Sequence, residues 1–308
     1  MESLAKALRV SLQRLKWAER NAEKLYRPGS STVKSDGTIR EVFDACAPLK
    51  DIQGQINKKI LQEVHYPPYL QGSIKDRNTP RDYVRNATLH SDTKILINED
   101  ISNFFPSTNR AQINRVWRKL FKFSPIVADC LTTLTTYRGC LPQGAKTSSY
   151  LANLVFWNIE PEIVEEINNA GLIYSRYIDD ITISSKSIVS SSVKQLAIGL
   201  ICKMCTRTGY KLKRAKHRIE TSGHVMHVNN LVVNKKAALP RKEKARIRAA
   251  IHELELLSEH EYKSDYYAGK YNSVSGRVSN LTRLHPKLGK RHRGILYGLR
   301  PGNVLCGF

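Results

Sequence analysis

Long apolar runs are missing from this chain. Nowhere among its 308 residues do 18 or more apolar residues follow one another, so no membrane-spanning helix is expected. The chain does not open on a basic segment with an apolar centre, which argues against a secretory signal peptide. Cysteine is scarce, at six residues, and without a secretory route these read as free thiols of a cytoplasmic protein. Cys202-Lys203-Met204-Cys205 and His224-Val225-Met226-His227 imitate a zinc finger. The histidine spacing is short for that motif and the cysteines fall in a helical stretch, so zinc is not expected. Internal repeats and low-complexity linkers are absent too. Acidic residues are the last deficit: 27 Asp and Glu face 50 Lys and Arg, a formal charge of +23 with a pI near 9.8. That excess asks for a polyanionic partner, and with membrane set aside nucleic acid is the natural one.

Against this basic background two acidic sites stand out. Tyr177-Ile178-Asp179-Asp180 lies between Leu172, Ile173 and Tyr174 on one side and Ile181, Thr182 and Ile183 on the other. The pattern predicts two short strands joined by a tight turn, with Asp tolerated in the turn. Adjacent carboxylates repel and persist best where a cation neutralises them. Oxygen ligands of this kind suit Mg2+ shared with substrate phosphates. Taken alone, an Asp-Asp pair is more often a solvated turn. Here Lys94-Ile95-Leu96-Ile97 reads as a buried strand that runs through Asn98-Glu99 to Asp100. Pro106 then ends regular pairing within Ile101-Ser102-Asn103-Phe104-Phe105-Pro106-Ser107. A carboxylate at one strand end facing a pair on a neighbouring hairpin would build a two-metal site with ions ~4 Å apart. Such a site performs phosphoryl or nucleotidyl transfer.

With these residues in view, the sequence resembles the reverse transcriptases. Tyr177-Ile178-Asp179-Asp180 is similar to their YxDD box, and residues 100–107 to the first catalytic motif in its bacterial DxxNFFPS form. Leu141-Pro142-Gln143-Gly144, followed by Leu151-Ala152-Asn153, resembles the PQG box, and the three occur in the family's order. The resemblance implies an α+β right-hand polymerase of fingers, palm and thumb, with an antiparallel palm sheet backed by helices and a helical thumb. It implies RNA-directed DNA polymerisation with two Mg2+ ions held by Asp100, Asp179, Asp180 and the backbone carbonyl of Ile101.

Further roles follow by position. Lys34 and Arg40 flank the Asp36-Gly37 turn of an expected fingers hairpin and would grip the triphosphate, Arg40 with bidentate geometry. Phe105 would lie under the sugar and exclude a 2′-hydroxyl, while Phe104 would face the opposite side of a strand. Gln143 and Gly144 would contact nucleotide and template, Gly144 letting the backbone come close. Lys216 would protonate the leaving pyrophosphate.

Asn86-Ala87-Thr88-Leu89-His90 resembles the NAxxH signature of retron reverse transcriptases. The Val-Thr-Gly triplet of that group is replaced by Val228-Asn229-Asn230, where Asn can still supply a left-handed turn. Asn86, His90 and Tyr177 are thereby expected to contact nucleic acid. A retron enzyme implies a structured noncoding RNA (msr-msd) as template and primer, and extension from a guanosine 2′-hydroxyl. Its product would be branched RNA-linked DNA (msDNA), with template removed by host RNase H and an effector or toxin protein partnered in antiphage defence. Other bacterial reverse transcriptases, group II-derived or diversity-generating, and a scaffold holding RNA–DNA to restrain an effector remain the alternatives.

The organisation expected is an N-terminal helix and fingers over 1–95, a palm over 96–234 with finger helices inserted at about 110–138, and a thumb over 235–308. With the thumb expected to run to residue 308, an RNase H domain is not expected. Residues 1–27 read as one amphipathic helix with Leu4, Leu8, Leu12, Leu15 and Trp17 packed onto the fingers. Residues 241–257 read as a charged helix with Ile247, Ile251, Leu254 and Leu257 as its stripe. Tyr262, Tyr266, Tyr267 and Tyr271 are expected to pack between thumb helices. Lys287, Lys290, Arg291 and Arg293 form a basic run suited to a nucleic-acid backbone.

Overall fold

The single N-terminal helix expected from the sequence is broken in two. The computed structural model describes residues 1–33, 37–76, 78–262 and 264–301. In it α1 (Glu2–Ala7) and α2 (Leu12–Asn21) are separated where Arg9 takes a φ of 54°. Ser11 then caps α2 by accepting a hydrogen bond from the Arg14 N–H at 3.2 Å. Leu4, Leu8 and Leu15 are buried, but Trp17 is 47 % exposed. Two positions beyond Leu15, it points roughly 200° around the helix.

A small β-unit follows, made of β1 (Tyr26–Pro28), β2 (Thr32–Val33), β3 (Ile39–Arg40) and β4 (Phe43–Ala45). β1 pairs with β4 and β2 with β3, both antiparallel. The expected hairpin is therefore present, although Lys34 lies outside the described residues. Then come α3 (Leu49–Lys59), β5 (Leu70–Gln71), α4 (Tyr83–Leu89) and β6 (Ile95–Asp100). Helices α5 (Phe104–Ser107), α6 (Arg110–Arg115), α7 (Pro125–Thr135), α8 (Ser148–Leu154) and α9 (Glu160–Asn169) lead to β7 (Ile173–Tyr177) and β8 (Asp180–Ser185). The chain continues through α10 (Ser191–Thr208), β9 (Arg218–Thr221), β10 (His227–Val228) and β11 (Leu231–Val232). It closes on α11 (Arg241–Ser258), α12 (Asp265–Leu284) and α13 (Pro286–Gly298).

The central sheet has the order β5-β7-β8-β6-β9. The pairs β7–β8, β8–β6 and β6–β9 are antiparallel, but β5 lies parallel to β7 with Leu70 beside Arg176 and Gln71 beside Tyr177. The sheet is mixed, which corrects the expectation of an antiparallel one. The two-residue β5 covers the outer edge of β7, whose backbone groups would otherwise stay unpaired. Five of six residues in both β6 and β8 are buried, so both faces of these central strands are covered although each also carries polar residues.

Two apolar cores result. The larger takes in α1, α2, the sheet and α7 through α10. The second joins Ile247, Ile251 and Leu254 of α11 to Val278 and Leu281 of α12, and draws in Met226, Val228, Leu231 and Val233 around the β10–β11 turn. α13 docks on α12 through Gly289, where a Cβ would stand 2.3 Å from the Thr282 Cα. Tyr267 is fully buried in this core, but Tyr266 is 60 % exposed, so the tyrosines do not all pack between helices. Among the described residues no helix is long and apolar enough to cross a membrane.

Candidate active site

Asp100 ends β6 directly opposite Asp180, the first residue of β8. Like charges facing one another across an antiparallel pair destabilise it. A third carboxylate, Asp179, occupies the two-residue turn between β7 and β8. Asp100 is buried, and Asp179 and Asp180 are half-buried. Burial, then the charges of Asp179 and Asp100, push the Asp180 carboxyl up to about 7, aided by a hydrogen bond with Asp100. Burial and Asp100 raise Asp179 as well. Carboxyl groups raised by burial and by one another bind a divalent cation at the expense of their protons.

Among the described residues no three His, Cys, Asp or Glu side chains are placed to hold a metal ion by themselves. Mg2+ binds through one or two carboxylates and completes its shell with waters and substrate phosphates, so these acidic donors fit a divalent ion that arrives with nucleotide.

The turn carrying Asp179 is strained. Ile178 has a φ of 60°, an outlier for a β-branched residue costing about 1–3 kcal/mol. Arg176 holds it. This side chain is fully buried and donates from Nη1 to the Ile178 carbonyl at 2.9 Å and from Nη2 to the Asn153 carbonyl at 3.1 Å. Its Nε and Nη2 also grip Glu160 at 2.6 and 2.8 Å, and Tyr174 donates to the same carboxylate at 2.7 Å. The guanidinium lies 5.0 Å from the Phe156 ring, which stacks on Phe104. Below Asp100, the Ile101 N–H donates to the Asp179 carbonyl at 3.0 Å, and the Asp100 carbonyl accepts from Lys213 N–H at 2.7 Å.

Lys216 forms an ion pair with Asp100. Burial alone would lower its ammonium pKa, but the hydrogen bond and charge of Asp100, with Asp180 and Asp179 behind it, raise it on balance. Lys216 therefore arrives charged. The next residue, His217, contacts Glu99 at 2.6 Å, so two adjacent pairs fasten this segment to the end of β6.

Two cavities meet at the cluster. One, of about 450 Å³, is lined by Arg40, Asp100, Gln143, Asp179, Lys213 and Lys216 among others. The other, of about 1020 Å³, is lined by Asp100, Tyr177, Asp180, Lys216, Arg218 and Asn229 among others. Asp100 and Lys216 belong to both.

Several sequence-predicted residues sit differently from expectation. Phe104 and Phe105 lie on the short helix α5 rather than on a strand. Phe104 is buried yet lines the smaller cavity, whereas half-buried Phe105 is not among its lining residues. Gly144 has a φ of 102°, and its missing Cβ would stand 2.7 Å from Val42 Cγ1. Its smallness therefore serves the packing of the PQG loop under β4, where Phe43 N–H donates to the Gln143 carbonyl at 2.7 Å. The expectation that Asn86 and His90 touch nucleic acid is corrected, because both side chains are fully buried. Lys287, Lys290, Arg291 and Arg293 are exposed on α13. Lys287, Lys290 and Arg291 are neighbours by their spacing, and Arg293, three residues beyond Lys290, also lines a separate cavity with Tyr271.

The chain matches the family model for reverse transcriptase (RNA-dependent DNA polymerase) over residues 33–253. The Retron Se72 reverse transcriptase of Salmonella heidelberg (strain 579083-10) is 32% identical, over 98% of this chain and 79% of its own length. The chain belongs to the retron reverse transcriptases. The Retron Ec48 reverse transcriptase of Escherichia coli is 32% identical over 98% of this chain and 76% of its own length. The Retron Ec86 reverse transcriptase, also of Escherichia coli, is 29% identical over 82% and 78%. This retron reverse transcriptase is thus an RNA-directed DNA polymerase, and the right-hand polymerase fold comes with the family. Arg176, Glu160 and Asn153 escaped the sequence reading as supports of the site. The signal was there in Arg176, a cation inside the strand that carries the YxDD box.

Proposed function

We propose that this retron reverse transcriptase copies the structured noncoding RNA of its own locus (msr-msd) into branched RNA-linked single-stranded DNA (msDNA). Synthesis starts at the 2′-hydroxyl of an internal guanosine. The observation that carries the reading is the junction of the two cavities: Asp100 and Lys216 stand where an incoming nucleotide on one side would meet a primer end on the other.

Residues 1–95 then serve as N-terminal helix and fingers, 96–234 as palm with finger helices near 110–138, and 235–308 as thumb. Arg40, with Lys34, neutralises the triphosphate, and Gln143 and Gly144 shape the floor of the nucleotide site. Phe105 guards the sugar against ribonucleotides. Asp100, Asp179, Asp180 and the Ile101 carbonyl would hold two Mg2+ ions, which would supply activation of the primer hydroxyl and charge neutralisation at the leaving group. That hydroxyl gives up its proton to solvent as it attacks the α-phosphate of the dNTP, the bond between the α-phosphorus and the bridging oxygen breaks, and Lys216 gives a proton to the departing pyrophosphate and regains one from solvent. Tyr177 and the basic face of α13 contact the nucleic acid. Host RNase H removes copied RNA, and the product joins an effector from the same locus in antiphage defence in the bacterial cytoplasm.

Expression with the flanking locus, followed by isolation of bound small nucleic acids, tests this. Short DNA joined to RNA through a debranching-sensitive 2′–5′ bond, absent in Asp179→Asn, is expected. Unbranched DNA would reject the priming step, and RNA without DNA would reject polymerisation as the chain's role in cells.

A further inference from the structure

Helix α4 and the residues that flank it are bonded to three elements beside the larger cavity: α12, the β10–β11 turn and the β7–β8 hairpin. At its start Asp82 pairs with Arg283 of α12 at 2.7 Å, and Tyr83 donates to Asn280 on the same helix. In its middle Asn86 Nδ2 donates to Asn229 Oδ1 at 2.6 Å, and Asn86 Oδ1 accepts from Ser175 Oγ of β7 at 2.6 Å. Just past its end His90 contacts Ser175 Oγ and Ser184 Oγ, each at 2.7 Å, one on either strand of the catalytic hairpin.

The protons along this chain can be assigned. Ser175 spends its hydroxyl proton on Asn86, so its oxygen accepts from His90 Nε2–H. That leaves Nδ1 to accept from Ser184, which requires a neutral imidazole in one tautomer. Burial lowers the His90 pKa to about 3, so the ring remains neutral at working pH.

Asn229 and Asn230 have φ of 47° and 63°, the two left-handed residues of a primed hairpin turn between β10 and β11. This turn and the catalytic hairpin both line the larger cavity, the turn with Asn229, Asn230 and Leu231 and the hairpin with Tyr177, Asp180 and Ile181. Asn86 is bonded to both, with one carboxamide atom committed to each.

We infer that Asn86 and Asn229 are positioning residues, a carboxamide clamp that sets the β10–β11 turn against the catalytic hairpin and thereby registers the primer end at Asp100 and Asp180. The inference rests on the proposed reading of the larger cavity as the primer site. It gives the replacement of Thr by Asn at position 229 a specific partner, Asn86.

The test is single-turnover primer extension by the full chain on a primed RNA template. Asn229→Gly keeps the left-handed backbone and removes the carboxamide, while Asn229→Asp keeps an oxygen for Asn86 to bond. Asn229→Gly should slow extension about tenfold, as loss of a part-buried hydrogen bond allows, with the KM for dNTP within about twofold of wild type. Asn229→Asp should recover most of the rate, and Asn86→Ala combined with Asn229→Gly should be no slower than Asn86→Ala alone. An unchanged rate in Asn229→Gly, or an Asp variant as slow as the Gly variant, overturns the clamp. Should Asn86→Ala fail to fold, the two Asn229 variants decide on their own, because that turn is half-exposed. A wild-type chain that binds the primed template and fails to extend it would instead overturn the underlying reading of the cavity.

Discussion

Arg176 donates to the Ile178 carbonyl at 2.9 Å, and in doing so holds the strained turn that presents Asp179. Four groups share this guanidinium: Glu160, Asn153, Ile178 and the face of Phe156. Lysine has no planar fork to serve them all. Arg176→Lys is expected to lower kcat at least about tenfold while KM for dNTP changes little, since the turn rather than the nucleotide site is disturbed. Arg176→Met leaves Glu160 buried without its cation and is expected to cost about 3–5 kcal/mol of stability. Thermal unfolding and steady-state extension check both; a lysine variant with wild-type kcat would remove Arg176 from the positioning role.

Asp180 gives the enzyme a pH signature. Its carboxyl rises from 3.8 to about 7 in the fold, so folding favours the protonated form. The stability this contributes is complete below the unfolded value and lost as pH rises through the folded one. Without metal, the unfolding midpoint of the wild type should fall relative to that of Asp180→Asn between roughly pH 4 and 7. Mg2+ affinity runs the other way and should tighten as pH climbs through about 7, because the ion must displace the proton. Parallel pH profiles for the two proteins would contradict the assignment.

The two phenylalanines of α5 should separate by phenotype. Phe104 is buried and stacked on Phe156, so Phe104→Ala is expected to cost about 3–5 kcal/mol of stability. Phe105 is half-buried, and Phe105→Ala should fold, retain dNTP incorporation and admit ribonucleotides. Competition between dNTP and rNTP in single-nucleotide extension reads this directly. An unchanged preference in Phe105→Ala would take the gate away from that residue.

Charge on α13 should appear in the salt dependence of binding. Each phosphate contact contributes a slope of about 0.7–0.9 in log K against log salt. Replacing Lys287, Lys290 and Arg291 together by Gln should flatten the slope by about 2 and weaken binding similarly across sequences. Arg293→Gln, which removes one charge beside the cavity at Tyr271, should change it less. Equal slopes for wild type and the triple variant would show that this face does not meet the backbone.

The sequence carried the chemistry better than its supports. Asp100, Asp179 and Asp180 were legible because short apolar strands framed them, and the fold brings all three together. Arg40, Gln143 and Lys216 line one cavity with Asp100 and Asp179, and the motifs pointed to them because they fix spacing along the chain. What sequence could not supply was which polar side chains face inward. Asn86 and His90 are fully buried, and their partners Ser175, Ser184 and Asn229 are 85 to 143 residues away. The parallel β5 was likewise hidden, since two residues carry no periodicity. The kink at Arg9 was missed because leucines continue on both sides of it.

The most direct measurement is incorporation of a single dNTP on a primed RNA template with Mg2+, comparing wild type with Asp179→Asn. The wild type should extend the primer, and the variant should bind the same template and fold with the same unfolding midpoint or a higher one, yet fail to extend. Extension by Asp179→Asn at a rate near the wild type would contradict the assignment of the carboxylate cluster as the catalytic centre.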